Sequence, residues 1–169
     1  TKENTGLQAL VDKAFGAGKI QVGYDEGTGK LSFASTGGAS KITLSNGSTN
    51  DGLSDLGFLP GASNRIDISK SLDYLKDKFA SGLTFNEAGK LKFKINGKAF
   101  EFDKSTTLSN MMSTINSDSD AKVHMRYDEV TDKFILTSKE LGAGDNIVID
   151  AAYQEGNFFG AGGASGILT

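Results

Sequence analysis

Two stretches of the chain alternate between apolar and polar residues on either side of a polar turn. Residues 20–24 and 30–35 form the first stretch, and residues 123–127 and 133–138 form the second. A period of two predicts half-buried β-strands, and the polar residues between them predict hairpin turns. The pattern places these residues on the inward faces of the two hairpins: Ile20, Val22 and Tyr24 in the first, and Val123, Met125 and Tyr127 in the second.

A short amphipathic stretch precedes each hairpin. Apolar residues recur at 7, 10, 11 and 14/15 in the first and at 108, 111, 112 and 115 in the second. This spacing predicts two helices, each with one buried stripe. Residues 103–107 offer N-cap candidates for the second helix. Another short helix is predicted over 71–79, with Leu72, Leu75 and Phe79 buried.

These elements form an internal repeat. Tyr24 and Tyr127 begin the same pattern, Tyr-Asp-Glu-x-Thr-x-Lys, at an offset of 103 residues. Each hairpin is followed by a Gly-rich turn, a predicted short strand and a small apolar cluster. The strands are expected at 41–44 and 146–149, and the clusters at 56–59 and 158–160. A repeat of this kind predicts two related modules.

The second module has an opening hairpin that the first lacks. Residues 90–95 alternate with Leu91, Phe93 and Ile95 inward, and Asn96-Gly97 is a strong signal for a two-residue hairpin turn. Phe100 and Phe102 point inward on the returning strand. We therefore expect the first module to be incomplete, to receive its opening strands from elsewhere in the chain, or to pack its helix differently.

The predicted fold class is α+β, with two related small domains, each of antiparallel β-hairpins packed on a short helix. We place the first domain at 1–65 and the second at 66–160, with 161–169 as a flexible exit segment. The two domains are either in tandem or nested, with one inserted in the other.

Composition excludes several classes of function. The 18 basic and 21 acidic residues give a net charge of −3, which argues against nucleic acid and against an anionic membrane surface. The absence of Cys and the single His exclude thiolate sites, Cys nucleophiles and His-based metal clusters. No apolar run approaches the length of a membrane span, so we expect no membrane insertion.

The remaining candidate groups favour structural roles. The acidic pairs 25–26 and 128–129 lie in predicted turns, and alternation points His124 outward. Lys92 and Lys94 are expected on an outward face opposite Glu101 and Asp103, where charge pairing competes with a basic binding face. We therefore predict no catalytic residue, no cofactor and no metal site, and we expect a protein that is not an enzyme.

Residues 83–149 closely resemble the IN motif of flagellar hook-associated proteins and some flagellins. The run from Thr137 to Gly144 is most similar to the filament cap family, hook-associated protein 2, and residues 7–59 match the motif more loosely. The residues that carry the resemblance are Ile95, Asn96, Gly97, Phe100, Phe102, Thr107, Leu108, Met112, Ile115, Asn116, Tyr127, Thr131, Leu136, Ser138 and Gly142.

The resemblance implies a structural protein at the distal tip of the bacterial flagellum, outside the cell. Cap proteins form a homo-oligomer there, help exported flagellin to fold and insert, and prevent its loss. The coiled-coil termini that form the stalk in the family are absent here, so the chain would be the head region, with 161–169 leading toward that stalk. The expected partners are further copies of the parent protein and flagellin, with no nucleic acid.

Two alternatives remain open. One is the surface-exposed part of a flagellin or of a hook–filament junction protein. The other is an adhesin that binds mucin or other host glycans, because some caps of this family have that property. Its candidate contacts are the Ser-, Thr- and Asn-rich loops at 45–54 and 117–120.

Overall fold

A computed structural model describes residues 6–36, 41–49, 51–79, 81–140 and 147–160. Contacts divide the chain into two compact units, which we describe separately. Unit 1 comprises Thr1–Arg65 with Glu129–Thr131, and unit 2 comprises Ile66–Asp128 with Asp132–Thr169. The Gly-rich turns at 37–39 and 142–144 and the exit segment at 161–169 lie outside the described residues. The interpretation of the units as two related IN-like domains stays a prediction.

The described residues of unit 1 form one helix, one hairpin and a single helical turn. These are α1 (Leu7–Phe15), β1 (Ile20–Asp25), β2 (Lys30–Ser35) and α2 (Gly52–Asp55). The two strands are antiparallel, with Val22 opposite Phe33 and Tyr24 opposite Leu31. The Phe33 ring also contacts Phe58, with 5.7 Å between the ring centroids.

The described residues of unit 2 form two hairpins and two α-helices. In chain order these elements are α3 (Leu72–Leu75), β3 (Lys90–Ile95), β4 (Lys98–Asp103), α4 (Leu108–Ser117), β5 (Val123–Asp128) and β6 (Lys133–Ser138). The described residues therefore form helices and three two-stranded antiparallel sheets, which confirms the predicted α+β class of small hairpin units. The predicted helix over 71–79 is a single α-turn that continues as the 3₁₀ turn Lys76–Lys78, with Leu72 and Leu75 buried and Phe79 half-buried.

The repeated hairpins have the same register. Met125 lies opposite Leu136 and Tyr127 opposite Phe134, which are the pairs of the first hairpin shifted by 103 residues. The turns also match, because Gly29 and Asp132 occupy the same turn position with φ values of 67° and 58°. Glycine and Asp both tolerate this left-handed conformation. The two predicted hairpins are therefore confirmed.

The β3–β4 hairpin has the predicted two-residue turn. Ile95 pairs with Lys98, and Asn96 and Gly97 have φ values of 51° and 82°. Two positive φ values in a row are typical of a type I′ turn, whose twist matches that of the strands. The inward residues Leu91, Phe93 and Ile95 are fully buried.

The last described stretch of unit 2, residues 147–160, lies along β3 and is called the closing segment. The backbone N–H groups of Lys92 and Glu155 each donate to the other's carbonyl oxygen at 2.9 Å. The backbone N–H of Asn96 donates to Val148 O at 2.8 Å. The closing segment therefore adds a discontinuous third partner to the β3–β4 sheet.

The predicted short strands at 41–44 and 146–149 are wrong within their described residues. Each stretch makes one isolated bridge, Thr43 with Ser63 and Ile149 with Ile95. In both cases a side-chain amide oxygen accepts the hydrogen bond that a backbone carbonyl would accept if the strand pairing continued. Asn64 Oδ1 accepts from the Ile42 N–H, and Asn96 Oδ1 accepts from the Val148 N–H, both at 2.8 Å.

Aromatic rings hold the core of unit 2 together. The Phe93 ring packs on Phe159, with 4.9 Å between centroids, and stacks on Phe158 at 6.0 Å. The Phe158 ring in turn contacts Phe134 and Phe79. Each such pair contributes about 0.5–1.5 kcal/mol beyond its buried area. The closing segment thus joins the β3–β4 hairpin to the β5–β6 hairpin.

The prediction of a buried apolar stripe is correct for α4 and wrong for α1. Leu108, Met111 and Ile115 of α4 are 0% exposed, whereas Leu10 and Phe15 of α1 are 62% and 65% exposed. A polar edge of α1 lies against β1 instead. Gln8 Nε2 donates to Ile20 O at 2.9 Å, and Gln8 Oε1 accepts from the Val22 N–H at 2.8 Å.

The contrast between the two faces can be tested with one type of substitution. We expect Phe93→Ala to lower the free energy of unfolding of unit 2 by about 3–5 kcal/mol, because it leaves a cavity among packed rings. Phe15→Ala should change stability by less than about 0.5 kcal/mol, because its ring is exposed. The stability change of each variant is measured by urea titration, with hydrogen exchange in peptides from each unit as the readout. Equal losses for the two variants would contradict the assigned core.

Candidate functional site

The first group of motif residues belongs to the β3–β4 hairpin, where the turn residue Asn96 connects three parts of unit 2. Asn96 Nδ2 donates to Ala121 O, and Asn96 Oδ1 accepts from the Val148 N–H, both at 2.8 Å. Its side chain therefore links the β3–β4 turn to the residues before β5 and to the closing segment. Gly97 completes the turn with its positive φ. Ile95, Phe100 and Phe102, the other motif residues of this hairpin, are buried.

A second group of motif residues belongs to α4. The Thr107 hydroxyl caps the helix by accepting from the Asn110 N–H at 3.2 Å, as predicted for 103–107. Leu108, Met112 and Ile115 form its buried stripe. At its end, Asn116 Nδ2 donates to Met125 O at 2.8 Å and Asn116 Oδ1 accepts from the Met125 N–H at 2.6 Å. Asn116 thereby binds α4 to the middle of β5.

The third group lies on the β5–β6 hairpin. The half-buried Tyr127 ring packs on Phe134, and its hydroxyl accepts from the Ile66 N–H at 3.1 Å and donates to the Asp132 carboxylate. Leu136 is buried, and Thr131 is exposed in the turn. The Ser138 hydroxyl accepts from the Glu140 N–H at 3.1 Å. Gly142 lies outside the described residues.

The structure brings most of these residues into one fold, where each packs in the core, forms a turn or caps an element. These are architectural roles, and the arrangement does not converge on a shared point where a substrate would react. Their assignment as a family motif stays a prediction, because packing roles do not identify a family.

Sequence reasoning missed the residues that seat the closing segment. Asn157 Oδ1 accepts from the Thr84 N–H at 2.7 Å, and Asn157 Nδ2 donates to Gly82 O at 2.8 Å. Next to it, Gly156 has a φ of 85°, and a Cβ there would lie 2.6 Å from Thr84 O and 2.5 Å from Leu91 Cδ2. The Gly156-Asn157 dipeptide was the available sequence signal. Glycine permits the close approach of the backbone to Thr84, and the Asn157 side-chain amide can both donate and accept a hydrogen bond.

Charge pairing covers the outward face of β3–β4. Lys90 pairs with Glu101, and Lys92 Nζ lies 3.2 Å from a Glu155 carboxylate oxygen. The prediction that Lys94 faces an acid across the hairpin is wrong, because the register puts Lys94 opposite Ala99 and Lys90 opposite Asp103. The Lys94 ammonium instead lies over the Tyr153 ring, 4.0 Å from its centroid. These contacts disfavour a basic binding face.

The same pairs change the acidity of their carboxyl groups. The hydrogen bond from Lys90 lowers the pKa of Glu101, and hydrogen bonds from Asn86 and Lys92 lower the pKa of Glu155. Beyond the hairpin, Lys98 bonds to Asp118 at 3.0 Å and lowers the pKa of that carboxyl. In each case a positive or hydrogen-bonding partner favours the ionised form.

The predicted turn acid and the lone histidine occupy the positions expected for them. Asp25 Oδ1 accepts from the Thr28 and Gly27 N–H groups, which lowers the pKa of Asp25 and stabilises the β1–β2 turn. His124 is exposed on β5. The described residues contain no group of three His, Cys, Asp or Glu side chains placed to hold a metal ion.

Comparison of the chain with protein-family models, with curated proteins and with solved structures finds no match. Among the helices within the described ranges, none has both the length and the apolar character needed to cross a membrane.

Asn96→Asp tests the fastening role of the turn. Asp tolerates the left-handed conformation nearly as well as Asn, so the backbone cost is small. The substitution places a carboxylate oxygen against Ala121 O, and we expect a loss of about 1–3 kcal/mol in the stability of unit 2. Asn110→Asp, at an exposed position in the first turn of α4, is the matched control and should be neutral or slightly stabilising. A neutral Asn96→Asp variant would refute the fastening role.

Acidification tests the charge pairs. Because the folded-state pKa values of Glu101, Asp118 and Glu155 lie below their ordinary values, the unfolded state binds more protons in acid. The stabilisation that these carboxyl groups contribute is therefore complete at pH values above their ordinary pKa values, and it is lost as the pH falls from about 5 to about 2. Glu155→Gln should make this loss shallower, whereas Glu26→Gln in the exposed β1–β2 turn should not. Urea midpoints across this range provide the measurement, and identical pH profiles would contradict the assignment.

Proposed function

We propose that this chain is the head region of a bacterial flagellar filament cap, a non-enzymatic structural part that acts through its surfaces. In this proposal, the full-length parent protein forms a homo-oligomer at the distal filament tip, outside the cell, and promotes the insertion of flagellin there. The observation that carries it is the resemblance of residues 83–149 to the IN motif, together with the run from Thr137 to Gly144.

The arrangement of unit 2 agrees with this kind of role. Motif residues such as Asn96, Thr107 and Asn116 are used to fasten turns and helix ends, rather than to assemble a reactive centre. An assembly module needs a stable scaffold that presents surfaces, and the buried apolar core of unit 2 supplies such a scaffold.

Restoration of flagellar growth tests the proposal. The full-length parent is expressed in its own bacterium after deletion of its gene, and flagellin lost into the medium is compared with flagellin in filaments. We expect the parent to reduce the loss several-fold and to restore swimming. Phe93→Ala in the parent should fail because it disrupts unit 2, while Phe15→Ala should restore growth.

Three results would count against a cap. Filaments formed by the purified parent alone would favour a flagellin, and a parent that stays monomeric in light scattering would oppose a preformed cap. Unchanged flagellin loss with saturable binding of the chain to immobilised mucin would favour an adhesin.

A further inference from the structure

The sequence contains two Asn-Gly dipeptides, Asn46-Gly47 and Asn96-Gly97. In such a dipeptide the backbone nitrogen of glycine can attack the side-chain carboxamide of asparagine, because glycine has no side chain to obstruct the approach. The reaction is intramolecular, so its rate depends on how often the two groups reach the attacking geometry. The chemistry is the same at both sites, and the structure determines how often each site can react.

The β3–β4 turn holds Asn96 in a geometry that opposes the attack. The Asn96 N–H donates to Val148 O, Asn96 Oδ1 accepts from the Val148 N–H, and Asn96 Nδ2 donates to Ala121 O, all at 2.8 Å. In a type I′ turn the first central residue has a ψ of about +30°. This ψ turns the Gly97 nitrogen away from the Asn96 side chain. Ring closure at Asn96 therefore requires the turn to open and these three hydrogen bonds to break.

The buried core adds to the cost of opening this turn. Ile95, directly before Asn96, is fully buried. Among the described residues, the apolar side chains that are buried all belong to unit 2. Elements that are packed in a core open rarely, with free energies that approach that of global unfolding. Asn96 therefore reaches the attacking geometry only when unit 2 opens.

Asn46 is held by contacts that are weaker and more local. Its Nδ2 donates to the Asp51 carboxylate, and its Oδ1 accepts from the Leu53 N–H at 3.3 Å. Gly47 is exposed and belongs to neither a helix nor a strand. Because no apolar side chain is buried among the described residues of unit 1, these contacts can break without opening a core. The attacking geometry is therefore accessible to Asn46 in the folded chain.

We propose that Asn46 is a site of spontaneous deamidation in the folded protein and that the fold protects Asn96 from the same reaction. The Gly47 nitrogen forms a bond to Asn46 Cγ and loses its proton. The Cγ–Nδ2 bond breaks, and Nδ2 leaves with that proton as ammonia. Water then adds to one of the two carbonyl groups of the resulting succinimide ring and opens it to aspartate or isoaspartate, with no change in oxidation state. This inference does not depend on the proposed flagellar function.

The reaction would change the surroundings of Asn46 irreversibly. The Nδ2 donor is lost, and a new carboxylate faces the carboxylate of Asp51, so an attractive contact is replaced by repulsion between like charges. The net charge of the chain changes from −3 to −4. The isoaspartate product also adds one carbon atom to the backbone path at this position. Deamidation is therefore expected to release the contacts of Asn46 with Asp51 and Leu53.

Incubation of the whole chain in mildly alkaline buffer tests the proposal. The buffer is prepared with water enriched in the heavy oxygen isotope, so that deamidation during the incubation is distinguished from deamidation during sample preparation. Peptides that contain Asn46 or Asn96 are then quantified by mass spectrometry. We expect Asn46 to react at least about tenfold faster than Asn96 in the folded chain. In denaturing urea the two rates should converge, because the fold no longer separates two identical dipeptides.

Two variants show whether the assigned causes are correct. Gly47→Ala should slow the reaction of Asn46 several-fold, because a Cβ obstructs the attack. Phe93→Ala should accelerate the reaction of Asn96, because it lowers the cost of opening unit 2. Equal rates at the two sites in the folded chain would overturn the proposal. It would also be overturned if Gly47→Ala left the rate at Asn46 unchanged, or if aspartate without isoaspartate were the product, because the succinimide would then not be the intermediate.

Discussion

The Phe93 ring is the point at which the separate parts of unit 2 meet. It packs on Phe158 and Phe159, and Phe158 also touches the Phe134 ring of β6. Since β3–β4 and β5–β6 are separate two-stranded sheets, backbone hydrogen bonds alone do not join them. The closing segment does so by pairing with β3 on one side and placing the Phe158 ring between Phe93 and Phe134. The buried residues of α4 belong to the same core as these rings.

Local patterns predicted much of this fold because their causes are local. The turn at Asn96 and the cap at Thr107 depend on neighbouring residues, and the shared Tyr-Asp-Glu-x-Thr-x-Lys pattern indicated two similar hairpins. The burial of α1 and the path of the closing segment could not be predicted in this way. For α1, an amphipathic stripe indicates that the helix needs a packing partner, but it does not indicate whether that partner is present. For the closing segment, the pairing of Lys92 with Glu155 joins residues that are far apart in the sequence of unit 2.

Side-chain amides join separate stretches of backbone at several places in the described residues. Gln8 in unit 1 and Asn116 and Asn157 in unit 2 each donate to one carbonyl and accept from one N–H. An amide carries the same donor and acceptor as a peptide group, so it can replace one rung of a ladder that ends there. Such joints carry no charge, and they therefore persist through the acidification that weakens the surface ion pairs.

The position of Phe158 and Phe159 late in the sequence of unit 2 determines when this unit can fold. A chain that emerges N-terminus first from a ribosome or a secretion channel exposes β3–β4 and α4 long before these rings arrive. Until then the apolar faces of the hairpins lack the residues that join them, and such species are prone to aggregate or to bind chaperones. Unit 2 should therefore complete its folding late, in the compartment that receives residue 159.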